Sequence, residues 1–351
     1  MSMRRNVDPS GLSSFRTALR GLACAGLLLV AQGAAAQRLA PKVMVVTMFG
    51  PEAAPWRAAE DFTVQIPVAG LSAQYPQVSC TASGLCLVTT DMGLANAAST
   101  ITALVQSSAL DLRQTWFLIA GIGGVDPVDG TLGSAHWARY AIDGGLLHAV
   151  DPRQQPAGWS SNLLMLGAKA PGEKSAWKTG TEVFQLDEAL LQKAYALSAR
   201  VPLEDSDAAK AYRARYPQAA GHGAPSVSIC DTLTSDTYWH GSDIARSMEA
   251  YVSLTTDGRG NYCTTQMEDN ASLTALKRGA DAGLLQFNRI ALLRTASNFD
   301  REAPGQDVGA SLSAKSGGFV PSTHNAYRVG HALTADILGH WDAWSGGVPK
   351  D

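Results

Sequence analysis

The chain has 351 residues, with 28 Lys and Arg against 31 Asp and Glu and a formal net charge of −3. The two signs are interspersed, so there is no basic stripe of the kind that grips a phosphate backbone, and a nucleic acid polymer is excluded as a partner. Past residue 36 no run approaches the ~18 apolar residues of a membrane-spanning helix, so no membrane span is expected in the mature chain.

The first residues read as a cleavable export signal. Arg4, Arg5, Arg16 and Arg20 precede an apolar stretch over residues 22–31, and Ala34, Ala35 and Ala36 follow it. Cleavage is expected after Ala36, with delivery to the periplasm or outside the cell. The stretch is shorter than the ~20 residues of a permanent span. Cys24 stands early in it, not at its end, which argues against a lipid-anchored cysteine. Residues 37–351 carry no repeat or Pro/Ser-rich linker and read as one domain, long enough for a large core.

Residues 42–48, Lys-Val-Met-Val-Val-Thr-Met, form a continuous β-branched and apolar run, the pattern of a strand covered on both faces. A loop leads to a short helix near residues 55–61. Cys80 and Cys86 flank a Thr-Ala-Ser-Gly turn between two apolar strands, which predicts a local bridge. With Cys24 removed, Cys80, Cys86, Cys230 and Cys263 allow two bridges in three connectivities; Cys230 and Cys263 read as small buried thiols, and none has zinc-site spacing. Residues 84–90 predict a buried strand. Leu94, Ala97, Ala98, Ile101, Leu104 and Val105 then recur at helical spacing, and residues 115–120 predict a third strand. Strand, helix, strand implies a parallel crossover.

The glycines of Gly121-Ile-Gly-Gly124 let the backbone turn sharply or approach a ligand with no Cβ in the way; a tight turn ending the strand is expected there, then strands over 134–142 and 146–150. Asp187 and Ser206 are N-caps for helices over 187–200 and 206–216. A short strand at 225–230, a helix at 268–282, a core strand at 287–295 and a closing helix at 325–344 complete the chain. The alternation predicts an α/β fold, a single-domain three-layer α/β/α sandwich around a central mixed sheet.

Ligands of such sheets bind beyond the carboxyl ends of the strands. Four polar or glycine-rich segments stand there: residues 48–52, 121–126, 235–240 and 295–300. Asp126 occupies the place of the third glycine of a dinucleotide fingerprint, and no phosphate-cradling Gly-Lys-Ser/Thr follows. The histidines lack ligand spacing; His240 and His324 are candidate proton carriers, with a surface or satisfied histidine the favoured reading. No metal and no cofactor is expected.

Taken in order, these stretches resemble the nucleoside phosphorylase and nucleosidase superfamily. Residues 89–98, Thr-Thr-Asp-Met-Gly-Leu-Ala-Asn-Ala-Ala, followed by Phe117-Leu-Ile-Ala-Gly-Ile-Gly-Gly124, are similar to its glycine-helix-strand-glycine core. Thr265-Gln-Met-Glu-Asp-Asn-Ala271 is similar to its Met-Glu segment, and Arg294-Thr-Ala-Ser-Asn298 to its Arg-x-x-Ser-Asp segment. The purine nucleoside permease family resembles the chain more closely, from Met48-Phe-x-x-Glu52 to the helix over 327–344.

The resemblance implies a nucleoside phosphorylase-like fold, purine nucleosides as ligands, and cleavage of the N-glycosidic bond by water or phosphate. It places Glu268, after Met267, on the ribose hydroxyls. It places Asn298 where most members have an Asp that donates to the leaving purine. An amide donates a hydrogen bond but has no acidic proton to give, so Asp300 is a candidate substitute. Glu52 falls in the loop that supplies the base activating water. Gly121, Gly123 and Gly124 belong to the substrate loop, and Tyr262, Trp239 and Tyr238 are candidates to stack on a purine. Asp236 resembles part of a Ser-Asp-x-Phe segment. Ala120 stands where many phosphorylases carry a basic residue, which favours water over phosphate, although Arg294 or Arg301 offers positive charge. A receptor that captures nucleosides for transport without chemistry is the alternative. Oligomeric state, a homo-oligomer included, stays open. All of these implications require the segments carrying Glu52, Gly123, Glu268 and Asn298 to converge at one edge of a shared sheet.

Overall fold

A computed structural model describes residues 38–350; the expected export signal lies outside the described residues. The first half of the chain forms β1 (Val43–Thr47), α1 (Gly50–Ala59), β2 (Val64–Pro67), β3 (Gln77–Cys80), β4 (Leu85–Thr89), α2 (Leu94–Gln106), β5 (Trp116–Val125), β6 (Ala135–Trp137), β7 (Tyr140–Asp143), β8 (Leu147–Ala149) and β9 (Leu163–Met165). The second half adds β10 (Val183–Gln185), α3 (Glu188–Ser198), α4 (Asp207–Arg213), α5 (Ala219–His222), β11 (Val227–Ile229), β12 (Asp231–Thr234), α6 (Ser242–Thr255), β13 (Tyr262–Gln266), α7 (Asp269–Asp281), β14 (Ile290–Phe299), α8 (Val308–Leu312), α9 (Phe319–Gly339) and α10 (Trp341–Ser345).

The buried apolar run of β1 is sandwiched as its pattern requires. Met44 and Val46 face a core shared with Ile101 and Leu104 of α2 and Leu273 and Leu276 of α7. Val43 and Val45 face the opposite core, with Trp56 of α1, Leu190 of α3 and Val329 and Leu333 of α9. Alternate residues of a strand point to opposite faces, so one strand feeds both cores. This is the α/β sandwich with a mixed sheet that the alternation of elements predicts. The main sheet runs β10-β7-β12-β13-β5-β1-β4-β3-β2, with β14, β6 and β11 joined beside β5. β4, α2 and β5 make the crossover, β4 and β5 each pairing parallel with β1.

The center of the arrangement is β5. Its first half pairs with β1, up to Val46 opposite Ile119. Its last residues pair antiparallel with β13 on that side, Thr265 opposite Gly124, while β14 runs parallel to it throughout. Between Ile119 and Gly124 the sheet therefore opens where β1 ends and β13 has not yet begun. Such a divergence leaves backbone groups available and makes a crevice at the strand ends.

Several expectations are corrected. The glycines at 121, 123 and 124 form no turn: β5 passes straight through them, and none has positive φ. The predicted strand over 134–142 is two strands, β6 and β7. The closing helix starts earlier, at Phe319, and breaks at His340 before α10. Cys80 pairs with Cys86, directly opposite it in β3 and β4, as expected. Cys230 and Cys263, read as thiols, also form a bridge. β12, β13 and α6 are additional to the predicted elements. Among the described residues no helix is long and apolar enough to cross a membrane.

Candidate functional site

The crevice beside β5 opens into a pocket of about 190 Å³. Met48 and Glu52 enter it from the end of β1 and the first turn of α1, Gly123 and Gly124 from β5, Met267 and Glu268 from the end of β13, and Asn298 from β14. The four segments carrying Glu52, Gly123, Glu268 and Asn298 thus converge at one place, as the resemblance requires.

Glu52 fills the gap left by the parting strands. One carboxylate oxygen accepts from Met48 N at 2.7 Å and the other from Ile122 N at 2.7 Å, so the side chain bridges backbone amides that no neighbouring strand reaches. Burial pushes its pKa up to about 7, and the cation of Arg294 and the two amides only partly oppose it. The glycines make room for this. A Cβ on Gly121 would stand 2.0 Å from Met48 Cε and 2.6 Å from Glu52 Oε1, and one on Gly123 would stand 2.6 Å from the Thr265 carbonyl oxygen. Their role here is close approach of side chain and strand, not a bend in the chain.

Glu268 is the N-cap of α7. Its carboxylate accepts from Gly93 N at 3.0 Å, just ahead of α2, and from Arg294 Nη2 at 3.2 Å. Burial raises its pKa, while Arg294 pulls it down. The Arg294 guanidinium is 1% exposed and also bonds Asp269, through Nε at 3.1 Å and through Nη2, and the Ile122 carbonyl oxygen through Nη1 at 2.9 Å. A buried cation with two carboxylates and a carbonyl locks β5, β14 and the start of α7 together. Removing it would leave two buried acids uncompensated, which commonly costs about 3–5 kcal/mol for a single broken pair.

Asn298 Nδ2 donates to Tyr238 Oη at 2.8 Å and to the Phe299 carbonyl oxygen at 2.9 Å. Its Oδ1 accepts from Ser297 Oγ at 2.8 Å. The amide is therefore oriented with one hydrogen on the Tyr238 hydroxyl and the other on the Phe299 carbonyl oxygen. Trp239 also lines the pocket and stacks on Tyr262, with centroids 6.1 Å apart.

Four expected site residues do not line it. Asp300 is buried beside the site, its carboxylate accepting from Tyr262 Oη at 2.6 Å and Arg301 Nε at 2.8 Å, so it does not stand in for the missing acid. Tyr262 is spent in the same network and offers no open ring face. Asp236 caps α2, accepting from Leu94 N at 2.7 Å. Gly121 lies beneath the floor. Neither arginine is a free cation either: Arg301 is held by Asp300, Asp126 and Glu249, and Arg294 by its acids. Met92, Ile122, Thr265 and Gln266 line the pocket unforeseen. Thr265 and Gln266 stand next to Met267 in the quoted segment, and the strand β13 that aims them carried no readable pattern. Among the described residues one cluster has metal-ligand atoms close together, His136, Cys230 and Cys263. It lies outside the pocket, and both sulfurs are in the disulfide.

The arrangement holds two buried carboxyl groups, one of them poised near neutrality, at one end, and amide and aromatic groups at the other. A polar ring rich in hydroxyls fits the acids, and a flat nitrogen heterocycle fits Asn298, Tyr238 and Trp239.

A family model described as purine nucleoside permease matches residues 40–349. A probable purine nucleoside permease of Schizosaccharomyces pombe is 38% identical over 325 residues, 87% of this chain and 91% of the relative. A purine nucleoside permease of Candida albicans is 35% identical over 308 residues, 86% of this chain and 76% of the relative. The fold is similar to that of the 5'-methylthioadenosine/S-adenosylhomocysteine nucleosidase of Neisseria meningitidis, with TM-score 0.51, 13% identity, and 83% and 97% of the two chains covered. The futalosine hydrolase of Helicobacter pylori is similar to the same degree, with TM-score 0.51, 13% identity, and 84% and 98% covered.

Proposed function

This chain belongs to the purine nucleoside permease family, and from that premise we propose that it binds a purine nucleoside in the pocket beside β5 and cleaves its N-glycosidic bond with water. The observation that carries the reading is the meeting of Glu52, Glu268 and Asn298 around one pocket, on a fold similar to that of nucleosidases. Residues 1–36 export the chain, and residues 37–351 act outside the inner membrane to free bases for uptake.

In this reading Glu268 accepts from the ribose hydroxyls. Its charge also favours the cation-like sugar that forms as the bond to the base stretches. Glu52 takes a proton from the attacking water, a task suited to a carboxyl whose pKa is near the working pH. The water oxygen bonds to the anomeric carbon, and the electron pair of the breaking bond passes to the purine. Asn298 stabilises the departing base with the amide hydrogen it now gives to Tyr238, and the base takes its proton from solvent. With Arg294 and Arg301 both held in ion pairs, phosphate is the less favoured nucleophile.

One observation favours a second reading, a receptor that delivers nucleosides intact. Asn298 has no acid proton, and Asp300 faces Arg301 and Tyr262, so among the described residues none beside the leaving base replaces the missing acid. Incubating the purified chain with adenosine, inosine and guanosine, with and without phosphate, separates the outcomes. Free base without phosphate is expected. Free base only with phosphate makes the reaction phosphorolysis, and binding without turnover makes the chain a receptor.

A further inference from the structure

Beyond Tyr238 and Asn298 lies a second cavity of about 420 Å³, and the two cavities share Tyr238, Ser297 and Asn298 as a common wall. The first, at about 190 Å³, is smaller than the roughly 300–1,000 Å³ in which small ligands are commonly enclosed. The wall is lightly built. Tyr238 is 56% exposed, and its hydroxyl meets the Asn298 amide in a neutral hydrogen bond, worth only about 1 kcal/mol net. Glu268 and Arg294 line the first cavity and not the second. A nucleoside with its ribose on Glu268 therefore has its base against the shared wall, and the second cavity continues the site past the base.

The walls of that cavity have a definite chemistry. Tyr212 and Phe299 present near-parallel rings, 18° apart with centroids at 6.4 Å, and Leu312, Phe319 and Val320 add apolar surface. Its polar lining comes mainly from the hydroxyls of Ser311 and Ser316 and the imidazole of His240, which meets Ser311 Oγ at 2.9 Å. Among the described residues no Asp or Glu lines it. Lys315 is its one charged lining residue and makes no ion pair among the described residues. An apolar body with a single unpaired cation at its rim is complementary to an apolar group that ends in an anion.

Resting on the nucleoside reading of the first pocket, we propose that the second cavity is a subsite for a substituent on the base, selecting purine nucleosides whose exocyclic nitrogen carries an extended apolar group ending in a carboxylate. The apolar part lies against Tyr212, Phe299 and Leu312, and the carboxylate reaches Lys315. Tyr238 swings aside to admit it, and Asn298 exchanges its bond to Tyr238 for one to the base.

Calorimetry on the full chain tests this with three 9-deaza C-nucleosides, whose carbon–carbon link to the sugar resists cleavage: 9-deazaadenosine and its N6-benzyl and N6-(4-carboxybenzyl) derivatives. The carboxybenzyl compound is expected to bind more than about tenfold tighter than the parent, about tenfold being the return on burying about two further CH₂ groups and the rest coming from its carboxylate on Lys315. The benzyl compound is expected to fall between them. Lys315→Glu should bring the carboxybenzyl compound down to the benzyl one or below it, without changing the parent. Ala314→Trp, which fills the second cavity outside the first pocket, should erase the gain of both derivatives and spare the parent. If the parent binds and neither derivative binds tighter, the subsite is overturned while the nucleoside reading stands. Equal binding of the two derivatives, or indifference to Lys315→Glu, overturns the carboxylate assignment. If none of the three binds, the subsite is overturned, and if inosine and guanosine also fail to bind, the nucleoside reading falls with it.

Discussion

Replacing Glu52 with glutamine removes a charge while keeping the shape, and so isolates what burial does at the crevice. The carboxyl is 2% exposed, and its pKa is raised from an ordinary 4.5 to about 7, burial outweighing Arg294 and the amides of Ile122 and Met48. A carboxyl that holds its proton more tightly in the folded chain than in the unfolded one makes stability fall as pH rises between those two values. The fall is about 3 kcal/mol, at about 1.4 kcal/mol per pH unit; it is absent below about pH 4.5 and complete above about pH 7. Asp126, raised to about 7 chiefly by burial and by Asp300, titrates in the same window in both proteins and cancels in the difference. Glutamine cannot accept from both amides at once, which adds a loss that does not vary with pH. Urea unfolding of the chain and of Glu52→Gln, from about pH 4.5 to about 8, is the assay. The variant should gain on the parent steadily as pH rises through the window. Parallel curves would refute the argument that burial controls this group. If Glu52 also activates water, kcat/KM should climb with pH through about 7 in the parent, and the variant should lose that limb.

Glu268→Gln is expected to weaken nucleosides far more than free bases, by about 1.5–3 kcal/mol for a hydrogen bond to a charged group; equal weakening of both in a binding titration would make the residue structural. Asn298→Asp is expected to raise hydrolysis about 10²- to 10⁴-fold, because the Phe299 carbonyl oxygen 2.9 Å from the amide nitrogen would hold the new acid protonated. An unchanged rate of base release under single-turnover conditions would show that protonating the base does not limit the reaction. Gly123→Ala drives a Cβ to 2.6 Å from the Thr265 carbonyl oxygen and is expected to cost about 1–3 kcal/mol in thermal unfolding. Gly346→Ala, with nothing within 4 Å of the added carbon, is the control and should be near neutral.

The elements with strong periodicity are legible in the sequence. The run at 42–48 is β1 and the spaced apolar residues from Leu94 are α2, because burial on two faces or on one stripe leaves a one-dimensional trace. Asp187 and Ser206 do cap α3 and α4, since a cap needs only its own turn. The polar strands β12, Asp-Thr-Leu-Thr, and β13, Tyr-Cys-Thr-Thr-Gln, left no such trace. Their buried hydroxyls and carboxylate are satisfied across the sheet, Thr232 by Gln266 at 2.6 Å and Asp231 by the amides of Tyr140 and Asn261 at 2.8 and 2.7 Å. Pairing of that kind depends on partners far along the chain.

The same distinction separates the parts of the site. Glu52, Gly123, Glu268 and Asn298 were named from sequence because each sits in a short segment whose residue types and order are informative. Which groups remain available was decided by tertiary structure alone. Asp300 and Tyr262 looked equivalent to their neighbours in sequence, and folding binds them to each other and to Arg301. The glycines of β5 read as a turn, and folding uses them as clearance beneath Met48 and Thr265. Local sequence determines what a segment can become, since backbone propensity and capping act over a few residues. Whether a charge is spent or free depends on what lies within a few ångströms in space, and for Arg294 that meant Glu268 and Asp269, about a turn of chain from β13 and brought in by the sheet.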